Sequence, residues 1–187
     1  MANSTVVGFS GNFRRPSRTR ALVERIVLET SQTHGLTAEI FDLGDLEPSL
    51  GSARQFSDLA PPARAIAEKI ISAQILVVGS PTYKGSYAGL FKHFLDLIDP
   101  MALKGKPVLL AATGGSERHA LIIEHHLRPL FSFFMAHTLP TGVYAAPGDF
   151  AGEEISAPNI HARIAQAVGE VAPFVTPVPE FALNAAE

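Results

Sequence analysis

Along the chain, continuous apolar runs alternate with stretches in which apolar residues recur every three or four positions. Residues 5–10, TVVGFS, form a short apolar run that ends in the polar turn Ser10-Gly11-Asn12 and predicts a first strand. Residues 18–32 carry Ala21, Leu22, Ile26 and Val27 on one helical face, and Gly35 is placed to stop that helix. Residues 37–42, TAEIFD, alternate and predict a second, more exposed strand. Residues 43–61 are polar and predict a loop. Proline at position 61 restarts a helix through residue 72. Residues 74–80, QILVVGS, and 106–113, KPVLLAAT, are runs typical of strands covered on both faces. An amphipathic helix is expected over 86–98 and a long one over 117–136. Pro129 interrupts the latter, because the carbonyl of His125 loses its helical partner, so a kink or widened turn is expected there. A last strand is expected around 141–145 and a last helix over 159–172.

Five strands alternating with five helices predict an α/β domain: a doubly wound, five-stranded parallel sheet covered on both faces. In such a fold, ligands lie beyond the carboxyl ends of the strands, at the switch in strand order. The loops after strands one, three and four therefore deserve the closest reading.

Composition narrows the picture further. The chain has 187 residues, 47% hydrophobic and 18% charged, which suits one globular domain over 1–175 with a proline-bearing tail at 176–187. A net charge of −3 gives no broad basic field for nucleic acid or a membrane surface. The absence of cysteine excludes disulfides and zinc–thiolate sites. The opening MANSTVVGFSG does not read as a signal peptide, and no apolar run is long enough to span a bilayer. A cytoplasmic protein is expected. His125 and His126 are adjacent, so they point about 100° apart on a helix and do not form a metal pair; no metal is expected.

The first loop gathers Ser10, Arg14, Arg15, Ser17, Arg18 and Thr19 at the start of a helix. A phosphate monoester wants such hydroxyls, cations and free N–H groups. The plainer reading, with Ser17 as a helix cap and the arginines solvated, stands almost level. Neither a Walker loop nor a dinucleotide fingerprint is present. The third loop, Pro81-Thr82-Tyr83-Lys84-Gly85-Ser86, offers donors and one aromatic face, which suits a planar heteroaromatic ring. Taken singly, Lys84 reads as a solvated charge and Tyr83 as a half-buried loop residue. The fourth loop, Thr113-Gly114-Gly115-Ser116, lets the backbone approach a ligand closely. Alone it reads as a flexible connector. Ligand-competent loops at all three expected places are much harder to attribute to chance.

The runs Ser17-Arg18-Thr19, Ser80 to Gly89 (SPTYKGSYAG), Ala112-Thr113-Gly114-Gly115, and then His119 and Leu127-Arg128-Pro129 resemble the NAD(P)H-dependent FMN reductases. More narrowly, they resemble the reductase components of two-component alkanesulfonate and methanesulfonate monooxygenase systems. The likeness covers about residues 5–172. It implies a flavodoxin-like three-layer fold with strand order 2-1-3-4-5. It also implies that Ser10, Arg14, Ser17, Arg18 and Thr19 hold the FMN phosphate. Pro81, Thr82, Tyr83, Lys84 and Gly85, with Thr113, Gly114 and Gly115, would hold the isoalloxazine. Hydride would pass from NADH or NADPH to the flavin without an obligatory protein acid or base, so no catalytic side chain is named. The first loop departs from the family's Gly-Ser-x-Arg opening, and Arg14 takes the arginine position on counting back from Ser17. The sulfonate-system reductases widen the helix around 117–136 by one residue and carry a tyrosine where this chain has His125. The resemblance also implies an FMNH2-dependent sulfonate monooxygenase as transient partner. With the surplus apolar residues at 130–135, it implies a homodimer or homotetramer. Two other readings stay open: a flavodoxin-type electron carrier, which the weak net charge disfavours, and a flavoenzyme that reduces quinones, azo dyes or metal oxyanions.

Overall fold

A computed structural model describes residues 5–175; the tail expected at 176–187 lies outside the described residues. Strands β1 (Thr5–Ser10), β2 (Thr37–Asp42), β3 (Ile75–Pro81) and β4 (Pro107–Thr113) are all parallel. The fifth position is shared by two short pieces, β5 (His137–Thr138) and β6 (Val143–Ala145), each parallel to β4. The order is β2-β1-β3-β4-β5, with β6 beside β4, the flavodoxin-like order that the resemblance implies. Residues 139–142 interrupt the last strand, which is why only its second half follows the expected boundary.

The alternation of side chains sets the layers. Val7 and Phe9 of β1, Leu76 and Val78 of β3, and Val108 and Leu110 of β4 face one core. That core is closed by α2 (Pro61–Ser72), α3 (Gly89–Asp96) and α4 (Arg128–Phe133). Val6, Ile75, Val77, Leu109 and Ala111 face the other, under α1 (Arg18–His34) and α5 (Pro158–Gly169). β3 and β4 are buried at every position, as the continuous apolar runs require.

Three differences from the sequence expectations carry physical reasons. The helix expected from residue 86 begins only at Gly89, because residues 83–86 close a tight turn and Ser80 Oγ accepts the N–H of Ala88 at 3.1 Å. The long helix expected over 117–136 is three pieces: a 3-10 turn (Glu117–His119), a π-helical turn (Ile123–Leu127) and α4. Pro129 lies in the first turn of α4, where its missing N–H costs nothing, and the Arg128 N–H reaches back five residues to the carbonyl of Ile123. The expected widening near Pro129 is therefore present. After β6 comes a small hairpin of β7 (Phe150–Ala151) and β8 (Glu154–Ile155), which no periodicity announces. A short helix, α6 (Ala172–Val175), follows α5.

Candidate functional site

The three loops singled out in the sequence meet at the carboxyl edge of the sheet. They line one open cleft of about 250 Å³, to which Arg18, Pro81, Thr82, Tyr83, Thr113, Gly114 and Gly115 all contribute.

The first loop leads from β1 into α1. Ser17 is the N-cap of α1; its hydroxyl accepts the N–H of Arg20 at 3.3 Å. The plain capping role is thus present. It leaves the N–H groups of Arg18 and Thr19 at the helix start without intrahelical acceptors, facing a favourable dipole. Arg18 lies with its guanidinium 5.7 Å from the centre of the Phe150 ring and donates to the carbonyl of Gly152 at 3.2 Å. It is the one arginine of this loop that lines the cleft.

The other cations are engaged elsewhere. Arg15 donates to Asp42 and Asp45, each at 2.7 Å, and Arg20 donates to Asp42 at 2.9 Å. Those carboxylates push the Arg15 guanidinium pKa still higher. The Asp42 side chain is fully buried and also accepts the N–H of Gly44 at 2.9 Å. Arg14 is exposed, with its guanidinium 5.6 Å from the Phe13 ring centre, and does not line the cleft. Ser10 is buried and donates to Asn12 Oδ1, while Asn12 Nδ2 donates to the carbonyl of Arg14 at 2.8 Å. These two residues brace the loop from below. Thr19 is also buried; its hydroxyl shares a 2.6 Å hydrogen bond with Thr113 and ties the first loop to the one after β4. The resemblance puts Ser10, Arg14 and Thr19 among the residues that hold the phosphate; here the Ser10 and Thr19 hydroxyls are hydrogen-bonded to Asn12 and Thr113, and Arg14 is exposed.

The loop after β3 is pinned at its base, where the Thr82 N–H donates to the carbonyl of Thr113 at 2.7 Å. Tyr83 and Ser86 then exchange backbone hydrogen bonds of 2.8 and 3.1 Å around Lys84 (φ 52°) and Gly85 (φ 84°). Two successive positive φ values make this a type I′ turn, which glycine favours at the second position. The turn holds Tyr83 at the cleft, 56% exposed, while Lys84 is exposed and outside the lining. The Thr82 hydroxyl is buried and has no hydrogen-bond partner. Such an orphaned group is costly unless something else meets it.

The loop after β4 passes under Tyr144. A Cβ on Gly114 would lie 2.2 Å from the Tyr144 hydroxyl and 3.2 Å from the Thr82 hydroxyl, so only glycine fits. The Tyr144 hydroxyl donates to the carbonyl of Ser116 at 2.6 Å and holds the loop's far end. Burial, with the nearby charges of Glu117 and Asp149, pushes the Tyr144 pKa up, so it stays a donor at neutral pH.

One wall is missing from the sequence reading. Ala145, Ala146, Pro147 and Phe150, after β6, complete the cleft. The signal for it was available: the carboxyl end of the fifth strand opens on the same edge as the other four. Taken together, the site offers helix N–H groups and one cation at one end. Along its length it offers an aromatic face, a glycine floor and an unsatisfied hydroxyl. This suits a flat ligand with an anionic end.

A family model described as NADPH-dependent FMN reductase matches residues 4–151. The NADH-dependent FMN reductase SfnF of Pseudomonas fluorescens is 48% identical over 168 residues, covering 90% of this chain and 90% of its own length. The FMN reductase (NADPH) of Pseudomonas aeruginosa is 46% identical over 168 residues, with the same coverage of 90% and 90%. Among solved structures, an oxidoreductase from Corynebacterium diphtheriae superposes with a TM-score of 0.81 at 34% identity, over 93% of this chain and 98% of that one.

Proposed function

This chain belongs to the NADPH-dependent FMN reductase family and is an NAD(P)H-dependent FMN reductase; from that premise we propose that it releases reduced FMN as a product to a separate monooxygenase that desulfonates small alkanesulfonates. The residues fit the flavin. The N–H groups of Arg18 and Thr19, with the Arg18 guanidinium, would hold its phosphate. Tyr83 would face the ring, Gly114 and Gly115 would let it lie close to the backbone, and the orphaned Thr82 hydroxyl would meet its polar edge. Bound FMN supplies the redox chemistry, taking up a hydride from the reduced nicotinamide. The chain's residues orient the two rings and leave the cleft open on one side.

The observation that carries the donor role is the shape of this cleft. Its roughly 250 Å³ is below the ~300–1,000 Å³ of sites that enclose a small molecule. A ring seated in so small and open a cleft would stay accessible to nicotinamide and would leave readily. The sulfonate partner is supported by the resemblance over 112–129 to reductases of such systems. The decisive assay couples the reductase to a sulfonate monooxygenase and measures sulfite. Sulfite formation dependent on NAD(P)H and free FMN supports the reading. Flavin retained through turnover, with steady NAD(P)H oxidation and no sulfite, refutes it and favours quinone or dye reduction.

We also propose a homo-oligomer. Phe133 is 65% exposed and Met135 is exposed just after it, an apolar surface at the end of the broken helix that a second subunit would cover. Light scattering at micromolar concentration tests it, and a monomer refutes it.

A further inference from the structure

A second cavity, of about 230 Å³, opens beside the flavin cleft. Gly85 forms one side, and Arg118, His119, His125 and His126 contribute to the other. The two spaces are neighbours. Gly85 belongs to the same tight turn as Tyr83, which lines the first. The Cβ of His119 lies 3.2 Å from where a Cβ on Gly114 would stand. Gly85 and Gly114 therefore stand at the rim between the two spaces.

Its chemistry is one-sided. The lining carries a guanidinium and three imidazoles and no carboxylate. The chain sorts its charges around the Glu117–His119 turn. Glu117 lines a different cavity with Tyr144 and Asp149, while its neighbour Arg118 lines this one. Arg15, Arg20, Arg25 and Arg128 all pair with carboxylates. Among the described residues Arg118 forms no ion pair. The His126 ring is held within hydrogen-bonding distance of Ser86, its Nδ1 3.2 Å from Oγ, so this side of the cavity is attached to the turn.

FMN has one phosphate, and the start of α1 provides for it. A second cationic space is therefore surplus to the flavin. The other substrate carries two phosphates in its bridge, and a third when it is NADPH. Its nicotinamide must stack on the flavin ring, so its phosphates must cross the rim. At about 230 Å³ the cavity takes a fragment such as a ribose phosphate rather than a whole nucleotide. We propose that the cavity between the Gly85 turn and residues 118–126 holds a phosphate of the reduced nicotinamide dinucleotide, with Arg118 as its principal cation. The proposal rests on the reading that places the flavin phosphate at the start of α1.

The test uses flavin-free protein, titrated calorimetrically with adenosine 2′,5′-bisphosphate and with ADP. Arg118→Ala is compared with Lys104→Ala, an exposed cation that precedes β4 at the opposite ends of the strands. The wild type and Lys104→Ala should bind alike, and Arg118→Ala should bind at least one probe roughly tenfold more weakly. The KM for the matching dinucleotide should rise by a similar factor, with FMN affinity unchanged. A loss confined to the bisphosphate and NADPH identifies the 2′-phosphate as occupant. A loss shared by ADP and NADH identifies the bridging diphosphate. Either outcome supports the site. Wild type that binds neither probe, a variant that binds both as wild type does, or a parallel loss of FMN overturns it. Such a failure leaves the coupled sulfite assay untouched, and failure of that assay leaves these titrations untouched.

Discussion

Residues 18–34 and residues 117–133 both border the sites at the carboxyl edge of the sheet, and they are built in opposite ways. The first is a single helix of 17 residues, capped by Ser17 at one end. At the other, Gly35 in the left-handed region closes it by donating to the carbonyl of Ser31. Thr19, Leu22, Val23, Ile26, Val27 and Thr30 form one buried stripe against the sheet. The second segment passes through three hydrogen-bonding patterns and leaves Leu121 and Phe133 in solvent. It is held in place by side chains. Arg128 makes a two-pronged pair with Glu124 and donates to the carbonyls of Leu139 and Pro140. The comparison teaches a division of labour. A regular helix fixes free N–H groups at one end of the cleft. An irregular segment, anchored by Arg128, borders the neighbouring cavity.

The largest test of this division falls on the floor between the two. Gly114→Val places carbon where the Tyr144 hydroxyl stands, so either Tyr144 releases Ser116 or the loop moves. FMN binding, followed by flavin fluorescence, should weaken by roughly five- to a hundredfold, the range expected from about 1–3 kcal/mol of overpacking. Unchanged affinity would mean that this loop does not hold the ring.

A second test falls beside the regular helix. Asp42→Asn weakens the grip on Arg15 and Arg20 together. Breaking a fully buried pair costs about 3–5 kcal/mol. Arg15 is half exposed and can turn to water, so a loss of about 1–2 kcal/mol is expected in urea unfolding. The freed arginines should not tighten FMN binding if Arg18 alone serves the phosphate. Tighter binding would assign Arg15 or Arg20 a share.

These sites differ in how far the sequence announces them. The runs QILVVGS and KPVLLAAT are apolar at every position, so two central strands and their burial on both faces were legible. The stripe, cap and terminal glycine of α1 were equally plain, and Pro129 pointed to the widened turn. Three things stayed hidden. The pairing of Arg15 and Arg20 with Asp42 joins residues 27 and 22 positions apart, and no local rule tells a paired arginine from a free one. The hydroxyl contact of Thr19 with Thr113 spans 94 positions. The β7–β8 hairpin has two-residue strands around Gly152 and Glu153, too short for any periodicity, so Phe150 was not seen as a wall of the cleft.

The smallest effect is expected on the irregular side. Arg128 holds the Glu124 carboxyl below its usual range, mainly through their hydrogen bonds. A depressed carboxylate pKa adds stability above the unfolded value and loses it as pH falls through the folded one. Glu124 is about half exposed, so Glu124→Gln should cost less than ~1 kcal/mol near neutral pH. The difference from wild type should vanish as pH drops through the carboxylate range. A difference that persists in acid would mean that the pair is not what secures the segment.

In the proposed reading, the start of α1 grips a phosphate while the rest of the cleft holds only a ring. The most direct measurement is the ratio of riboflavin to FMN dissociation constants, in wild type and in Arg18→Ala. The ratio should be about ten or more in wild type, as a charge-assisted contact implies, and should fall severalfold in the variant with riboflavin affinity nearly unchanged. Equal affinity of the wild type for the two flavins, or equal losses of both in Arg18→Ala, would contradict it.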